Sequence, residues 1–157
     1  MEIRIYRGQK LPEAIRTAVK AGNLEAFGWS IGATEADFDN RLSLYYVMLE
    51  SNPAETERVL GYIGLHVIVD EALVNSVFVL PSERERGIGS QLLTFACEHL
   101  LQEEGVTQTL LDVRATNVPA LRLYAQADFE KLALRKAYYQ NPSDDALVMQ
   151  RLLKKEG

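Results

Sequence analysis

The sequence predicts one α/β domain over residues 1–157, with a central mixed β-sheet flanked by helices. The chain has 157 residues, of which 47% are hydrophobic and 25% charged, as in an ordinary single domain. Runs rich in Val, Ile and Tyr alternate with segments whose apolar residues recur with the helical period. At the centre a strand, a helix and a strand follow in order, and this crossover makes the two strands parallel where they share a sheet.

The amino-terminal segment predicts a strand and two helices. Met1–Tyr6 is strand-like. A first helix is expected to begin at Pro12, which is accepted in a first turn, and to end at Phe27-Gly28. Its apolar face is formed by Ile15, Val19 and Ala26. A second, shorter helix is expected from Thr34, a favourable N-cap residue, through Arg41.

The next segment predicts an antiparallel meander. Its three strands are expected at Leu42–Leu49, Val59–Val69 and Leu73–Leu80. The turn-rich segment Ser51–Glu57 indicates an exposed hairpin, and the Asp70-Glu71 pair indicates a tight turn.

The carboxyl-terminal half predicts two helices among three strands. Apolar residues recur with helical spacing from Gly87 to about Gly105, which indicates an amphipathic helix packed on the sheet. Thr109–Val113 is strand-like, and Asn117 caps a further helix that has Pro119 in its first turn. Two strands close the chain, at Phe129–Tyr139 and Ala146–Leu153.

Charge and composition argue against several classes of protein. Lys and Arg number 17 against 22 Asp and Glu, a net charge of −5 that lacks the basic footprint of a nucleic-acid partner. The single Cys97 is expected to be a buried, inert thiol in a reducing compartment. His66 and His99 lack metal-ligand spacing, so no metal is expected. With neither a signal peptide nor a spanning apolar stretch, we expect a cytoplasmic protein with no membrane partner, as a monomer or homodimer.

The densest chemical signal lies where the third meander strand meets the central helix, between Val77 and Gly89. Two glycines allow close approach of the backbone, the helix start offers free N–H groups, and arginines supply positive charge, which suits a phosphate or pyrophosphate. The alternative is a plain strand-to-helix turn with solvated charges. The segment is not a dinucleotide fingerprint, because Leu92 stands at the third glycine position, and no Gly-Lys-Ser/Thr of a P-loop follows.

This loop is one part of a longer motif. The parts are Arg84-x-x-Gly87-x-Gly89, then Asn117-x-x-Ala120-x-x-Leu123-Tyr124, then Phe129. Together they resemble the GNAT superfamily of N-acetyltransferases. The resemblance implies the GNAT acyl-CoA N-acyltransferase fold and acetyl-CoA as the co-substrate.

The resemblance also implies roles for individual residues. It implies that the pyrophosphate of acetyl-CoA is held by Arg84, Arg86, Gly87, Ile88, Gly89 and Ser90. Val77 and Val79 are implied as contacts of the pantetheine arm, and Asn117 as the cofactor-side asparagine. Tyr124 corresponds to the general acid of the family, whereas the residue type alone leaves open a core tyrosine with a satisfied hydroxyl.

Segments along most of the chain are similar to one branch of the superfamily, the ribosomal-protein-alanine N-acetyltransferases: Ala26–Ser30, Val69–Leu73, Leu111–Asn117, Arg135–Tyr139 and Asp145–Met149. These enzymes acetylate the N-terminal alanine of a small-subunit ribosomal protein. The resemblance implies transfer to the α-amine of a protein N-terminus in a ternary complex, with Trp29, Tyr138 and Tyr139 near the acceptor. Neighbouring tyrosines on a strand face opposite ways, so only one is expected to meet substrate. Trp29 is either a core anchor or a wall of the acceptor pocket.

The chain departs from this branch at three positions. Asp112 replaces Glu, Gly28 replaces Pro, and Asp128 replaces Gly. Asp tolerates the left-handed conformation of a turn glycine, so the change at Asp128 is mild. The Glu is read as the general base, and the shorter Asp112 would act through a water or leave the task to another group. An ion pair of Asp112 with Arg114 or Arg122 is the structural alternative.

Two other functions stay open. The first is acetylation of a small-molecule amine, such as a polyamine, an amino acid or an aminoglycoside, or of lysine. The second is non-catalytic binding of acyl-CoA. Both share the fold and the cofactor loop with an enzyme that acetylates a protein N-terminus, so the three functions differ only on the acceptor side.

Overall fold

A seven-stranded mixed β-sheet forms the centre of the protein, in a computed structural model that describes residues 1–54 and 56–154. The strands are β1 (Glu2–Arg7), β2 (Ser43–Ser51), β3 (Glu57–Ile68), β4 (Glu71–Val79), β5 (Gln108–Arg114), β6 (Glu130–Tyr139) and β7 (Asp144–Leu152). Their order is β1-β2-β3-β4-β5-β7-β6, and every neighbouring pair is antiparallel except β4 and β5. The predicted mixed sheet, its meander and its parallel crossover pair are confirmed. Glu55 of the predicted hairpin and residues 155–157 of the predicted domain lie outside the described residues.

Helices cover both faces of the sheet. They are α1 (Glu13–Phe27), α2 (Ile31–Asp39), α3 (Ile88–Glu103) and α4 (Val118–Gln126). Strand β2 is buried on both sides, because its alternate residues point to opposite faces. Tyr45 packs in a cluster with Val19 of α1 and Phe38 of α2, whereas Tyr46 packs in a second cluster with Leu92 of α3 and Tyr124 of α4.

Buried polar contacts fix the corner between α1 and α2. Gly28 ends α1 in the left-handed conformation, with φ of 69°. Ser30 caps α2 by accepting a main-chain hydrogen bond, so the predicted cap at Thr34 is wrong. Thr34 is instead buried inside α2, where its hydroxyl accepts a hydrogen bond from Asn23 Nδ2 at 3.2 Å. Tyr62 of β3 donates to Asn23 Oδ1 at 2.6 Å and ties the corner to the sheet.

Two other details differ from the sequence prediction. The β3–β4 turn is Val69-Asp70 and not Asp70-Glu71, because Glu71 already pairs with Ile68 and Val69 has φ of 56°. Ala26 was expected on the buried face of α1 but is exposed, because the last turn of that helix borders a cavity and not the sheet. The left-handed conformation expected of Asp128 is confirmed, with φ of 67°.

Strands β4 and β5 are paired over only part of their length. Their parallel register runs from Glu71 opposite Gln108 to Val74 opposite Leu111 and then stops. The next residue of β4, Asn75, has no partner in β3, since the register shifts there. Such a bulge bends a strand and ends pairing. The second half of β4 therefore faces a gap in the sheet.

Two helical glycines provide a matched test of the packing between α1 and the sheet. A Cβ at Gly22 of α1 would lie 2.5 Å from the Tyr62 hydroxyl oxygen and 3.1 Å from Phe78, whereas a Cβ at Gly32 of α2 would contact nothing within 4 Å. Overpacking costs about 1–3 kcal/mol, which exceeds the roughly 1 kcal/mol that alanine gains over glycine in a helix. We expect Gly22→Ala to lower the urea midpoint of unfolding and Gly32→Ala to leave it equal or higher. A higher midpoint for Gly22→Ala would contradict the tight packing.

Candidate active site

Two cavities border the gap between β4 and β5. The first, called here the loop cavity, has a volume of about 690 Å³ and is lined by the β4–α3 connection and by α4. The second, called here the aromatic cavity, has a volume of about 590 Å³ and is lined by the α1–α2 corner, the bulge of β4, the end of β5 and the β6–β7 turn. Residues common to both walls are Phe27, Val77, Asn117 and Tyr124. The two spaces therefore meet at these side chains.

The start of α3 presents main-chain donors to the loop cavity. Gly87 is the N-cap residue of α3, with φ of 76° and no side-chain cap. The first N–H groups of a helix have no partner within the helix, and the dipole is positive at that end. Gly89 and Ser90 line the cavity beside this helix end. Such an arrangement suits an anionic group such as a phosphate.

Strand β4 and Arg84 complete the wall on that side. Val77 and Val79 line the loop cavity in the part of β4 that β5 does not pair. Arg84 is exposed, and its Nε donates to the carbonyl oxygen of Val79 at 3.2 Å, so the guanidinium is held at the rim of the cavity. The structure thus brings most of the predicted cofactor residues to one cavity: Val77, Val79, Arg84, Gly87, Ile88, Gly89, Ser90 and Asn117.

Arg86 is the predicted cofactor residue that does not line the loop cavity. Its Nη1 donates to Glu83 Oε2, and its Nη2 lies 4.0 Å from the sulfur of Met1. Glu83 also accepts from Arg58 of β3 at 2.9 Å. The hydrogen bond from Arg86, with a smaller contribution from Arg58, holds the pKa of Glu83 below its usual range. Arg86 therefore pairs with this carboxylate and lies outside the lining of the loop cavity, and its contact with pyrophosphate stays a prediction.

Arg122 of α4 lines the loop cavity and was not among the cofactor residues predicted from the sequence. It shares that wall with Pro119, Leu123 and Gln126. The four positions have the spacing of one helix face, which is the signal that could have found them. Arg122 therefore adds a second guanidinium to the wall of the loop cavity, beside that of Arg84.

Tyr124 borders both cavities. Asn117 caps α4 by accepting the Ala120 N–H at 3.3 Å, which fixes the helix that carries Tyr124. The Tyr124 ring is buried against Phe129, with 6.0 Å between ring centroids. Among residues 1–54 and 56–154 the hydroxyl makes no hydrogen bond, and it is not one of the fully buried atoms without a partner, so the core tyrosine with a satisfied hydroxyl is not found. Burial, with a smaller effect of Tyr139, raises the pKa of Tyr124 to about 12.

Asp112 supplies the carboxylate of the aromatic cavity. It lies near the end of β5, where β7 still pairs with β5 but β4 does not. Neither Arg114 nor Arg122 forms an ion pair with it in the described part of the chain, so the structural alternative for Asp112 is not found. Burial raises the pKa of Tyr139, and the Asp112 charge is the next contribution. Asp112 and Tyr139 are therefore electrostatic neighbours on the cavity wall.

The three predicted acceptor residues separate into two groups. Trp29 lines the aromatic cavity and lies against Phe27, with 5.5 Å between ring centroids, so it is a wall and not a core anchor. Tyr139 lines the same cavity. Tyr138 does not line it: this residue is half exposed on the edge strand, and its ring meets the Tyr139 ring edge to face, with 5.2 Å between centroids. Only one of the two tyrosines therefore lines the aromatic cavity, and the role of each toward an acceptor stays a prediction.

The remaining singled-out side chains have structural contacts. Cys97 is buried on α3, and burial raises the pKa of its thiol, as expected of an inert cysteine. His66 Nε2 lies 2.6 Å from Asp37 Oδ1, and His99 Nδ1 lies 2.8 Å from the Tyr46 hydroxyl. Among the described residues no helix has the length and apolar character needed to cross a membrane.

Comparisons with known proteins agree with this geometry. A family model described as "Acetyltransferase (GNAT) family" matches residues 13–129. The chain is 31% identical over 152 residues to the ribosomal protein bS18-alanine N-acetyltransferase of Salmonella typhimurium, covering 94% of each chain. It is 29% identical over 144 residues to the Escherichia coli protein of that name, covering 88% of each.

Solved structures show the same fold. The crystal structure of the ribosomal-protein-S18-alanine N-acetyltransferase from Escherichia coli matches with a TM-score of 0.79 and 24% identity, covering 99% of this chain and 97% of that one. Arabidopsis thaliana NAA60 in complex with a bisubstrate analogue matches with a TM-score of 0.81 and 12% identity, covering 99% and 100%. Because the family model and the Salmonella relative both match most of the sequence, the chain belongs to the acetyltransferase (GNAT) family.

Proposed function

We propose that this acetyltransferase moves the acetyl group of acetyl-CoA to the α-amine of a protein N-terminus, with the N-terminal alanine of a ribosomal protein as the acceptor, in the cytoplasm. One observation carries the proposal: Tyr124 lines both of two adjoining cavities, where it is one of the four residues that they share. One cavity suits the donor and the other the acceptor. Relatives that align with nearly the whole chain are named for alanine N-acetylation.

The loop cavity fits the chemistry of acetyl-CoA. The free N–H groups at the start of α3 and the guanidinium of Arg84 offer an anion site for the pyrophosphate. Arg122 adds a second positive charge for the phosphates. The unpaired half of β4, at Val77 and Val79, offers main-chain groups to the amide-rich pantetheine arm. Related structures with acetyl-CoA and with CoA support the same assignment.

Acetyl transfer forms a C–N bond and breaks a C–S bond, so the leaving sulfur needs one proton. Tyr124 is the donor that the geometry favours. Because burial raises its pKa to about 12, the hydroxyl stays protonated at neutral pH and is available as an acid. Main-chain N–H groups of β4 near Val79 are the donors that stabilise the charge on the thioester oxygen.

The incoming amine must lose one proton, and Asp112 is the carboxylate placed to accept it. It lines the aromatic cavity and forms no ion pair with the described residues, so its oxygens remain available. An α-amine has a pKa of about 8 and a lysine amine of about 10.4, so the α-amine needs much less help at neutral pH. A short carboxylate that acts through a water is sufficient for that task. The chemistry of the site therefore favours an α-amine over a lysine.

The aromatic cavity, which we assign to the acceptor, has walls from three distant parts of the chain. Trp29 comes from the α1–α2 corner, Asn75 from the β4 bulge, and Tyr139 from the end of β6. Gln140 and Asn141 add amide groups at the turn. An extended peptide can use such amide groups for main-chain hydrogen bonds while its first side chain lies against the aromatic walls. This supports a peptide end as the acceptor.

The assignment of the loop cavity predicts that CoA stabilises the protein through Arg84. A ligand at 100 times its Kd adds about 2.7 kcal/mol of stability, and in a chain of this size about 1 kcal/mol moves Tm by roughly 2–4 °C. We expect a rise of this order for wild type and a much smaller one for Arg84→Glu, measured by differential scanning fluorimetry. Arg41→Glu, the same charge change at an exposed residue outside both cavities, is the control and should keep the full rise. No rise for wild type would refute the CoA site.

The role of Tyr124 predicts a selective loss of turnover. Tyr124→Phe keeps the packing against Phe129 and removes only the hydroxyl. We expect kcat to fall by about 10²–10⁴-fold, the usual contribution of a positioned acid, while the CoA-dependent rise in Tm is unchanged. Release of free CoA thiol measures the rate. Tyr138→Phe, on the strand outside the cavity, is the matched control and should retain wild-type kcat. An unchanged kcat for Tyr124→Phe would reduce this residue to a packing role.

The proposed acceptor predicts a difference between two peptides. A peptide that begins with a free alanine followed by arginine should be acetylated on its α-amine. The same peptide with a blocked N-terminus and an internal lysine should react poorly, because its amine is mostly protonated at neutral pH. Mass spectrometry of the products locates the acetyl group. Acetyl found mainly on lysine, or on spermidine in preference to both peptides, would refute the α-amine acceptor while the acetyltransferase family would stand.

A further inference from the structure

The last residue of β6 and the β6–β7 connection form one wall of the aromatic cavity, through Tyr139, Gln140 and Asn141. Little of the sheet holds this wall. Strand β6 is the edge of the sheet and is exposed along almost its whole length. Its register with β7 is interrupted between Arg135 and Tyr139, so the residues before the wall are out of the ladder. Tyr139 pairs with Asp144 after this break, so side-chain contacts are needed to hold its ring and the turn that follows it.

Arg114 makes these contacts from the rigid end of β5. Its guanidinium carbon lies 4.5 Å from the centroid of the Tyr139 ring. Its Nη1 donates to the carbonyl oxygen of Pro142 at 2.8 Å, and its Nη2 donates to that of Gln140 at 3.2 Å. One side chain therefore holds the ring and both ends of the turn at residues 140–142. Arg114 itself is half buried and lines the aromatic cavity.

The three contacts require the shape of arginine. A planar guanidinium can stack on a ring while its fork donates to two carbonyl oxygens, whereas a lysine amine is a single point charge. A second contact strengthens the same junction: Asp144 of β7 accepts from the Thr116 hydroxyl at 2.5 Å. The β6–β7 turn is thus attached to β5 and to the residues that lead into α4.

The geometry points to Arg114 as a positioning residue that sets the acceptor wall by holding Tyr139 and the turn at residues 140–142. The inference rests on the proposed function, because it assigns the aromatic cavity to the acceptor. Arg114 acts through Tyr139 and the turn, and takes no proton in the reaction. Its loss should affect acceptor binding and leave the CoA side intact, since Arg114 is absent from the wall of the loop cavity.

Arg135 provides a matched control on the neighbouring tyrosine. Its guanidinium carbon lies 5.3 Å from the centroid of the Tyr138 ring, a contact of the same kind, but neither residue lines the aromatic cavity. Both arginines are within the β5–β7–β6 part of the sheet, and both substitutions remove one positive charge. Arg114→Ala and Arg135→Ala therefore differ in whether the tyrosine they contact borders the acceptor space.

The experiment compares the kinetic constants of Arg114→Ala, Arg114→Lys and Arg135→Ala with those of wild type, on the alanine peptide. We expect Arg114→Ala to raise the acceptor KM and to lower kcat/KM by about 10- to 100-fold, since a displacement of about 1 Å at a site can cost about 10²-fold. Arg114→Lys should restore little of this loss, and Arg135→Ala should match wild type. The CoA-dependent rise in Tm should be preserved in all three variants.

A second measurement needs no acceptor. Trp29 is the single tryptophan of the chain and lines the same cavity as Tyr139, so its fluorescence reports on that cavity. Arg114→Ala should make Trp29 more accessible to acrylamide, because the opposite wall is released, whereas Arg135→Ala should not. Should Arg114→Ala fail to fold, Arg114→Lys carries both measurements.

The outcomes separate this inference from the proposed function. Wild type that acetylates only a small amine contradicts the proposed acceptor, and the same comparison of variants is then made on that amine. An unchanged acceptor KM and unchanged quenching of Trp29 in Arg114→Ala would overturn the positioning role. So would a loss of the CoA-dependent rise in Tm in both Arg114 variants, because that result indicates a general structural role. A full rescue by Arg114→Lys would show that charge alone matters and would also overturn it.

Discussion

The parting of β4 and β5 after Val74 and Leu111 is the feature on which the rest of the site depends. A parallel pair that continued to the ends of both strands would satisfy its main-chain groups and close the sheet. The bulge at Asn75 ends this pairing, and the second half of β4 keeps an edge that β5 does not pair, where the Val79 carbonyl oxygen accepts from Arg84. Main-chain groups along such an edge need partners, and water or a ligand rich in amide groups can supply them. The sheet thus provides a place for an extended ligand before any side chain is considered.

The two helices that follow the parted strands bring their amino termini to the same region. α3 begins at Gly87, just after β4, and α4 begins after Asn117, which follows β5. Each connection is short, so each helix start borders the cavities that the parting creates. The loop cavity therefore holds the positive end of the α3 dipole and the guanidinium of Arg84. Tyr124 follows where this cavity meets the aromatic cavity. This order matches a ligand with phosphates at one end and a thioester at the other.

Features encoded within a few residues were predictable from the sequence, and features that depend on distant partners were not. The cap at Asn117 and the glycine start of α3 are local, and both were predicted at the correct residues. The pairing of Arg86 with Glu83 was not predictable, because Glu83 is shared with Arg58 from a remote strand, which motif spacing does not reveal. Thr34 has the right residue type for a cap, but the buried amide of Asn23 from another helix takes its hydroxyl.

The same distinction separates the loop cavity from the aromatic cavity. The loop cavity is built largely from the continuous stretch around the start of α3 and from one face of α4, so its geometry follows from local sequence. The aromatic cavity is assembled from the α1–α2 corner, the β4 bulge, the end of β5 and an edge hairpin that the ladder holds weakly. Connecting segments tolerate change better than the elements they join. A chain with this fold can therefore keep the loop cavity while the corner and the hairpin change, and the shape of the aromatic cavity depends on long-range contacts such as those of Arg114 with the β6–β7 turn.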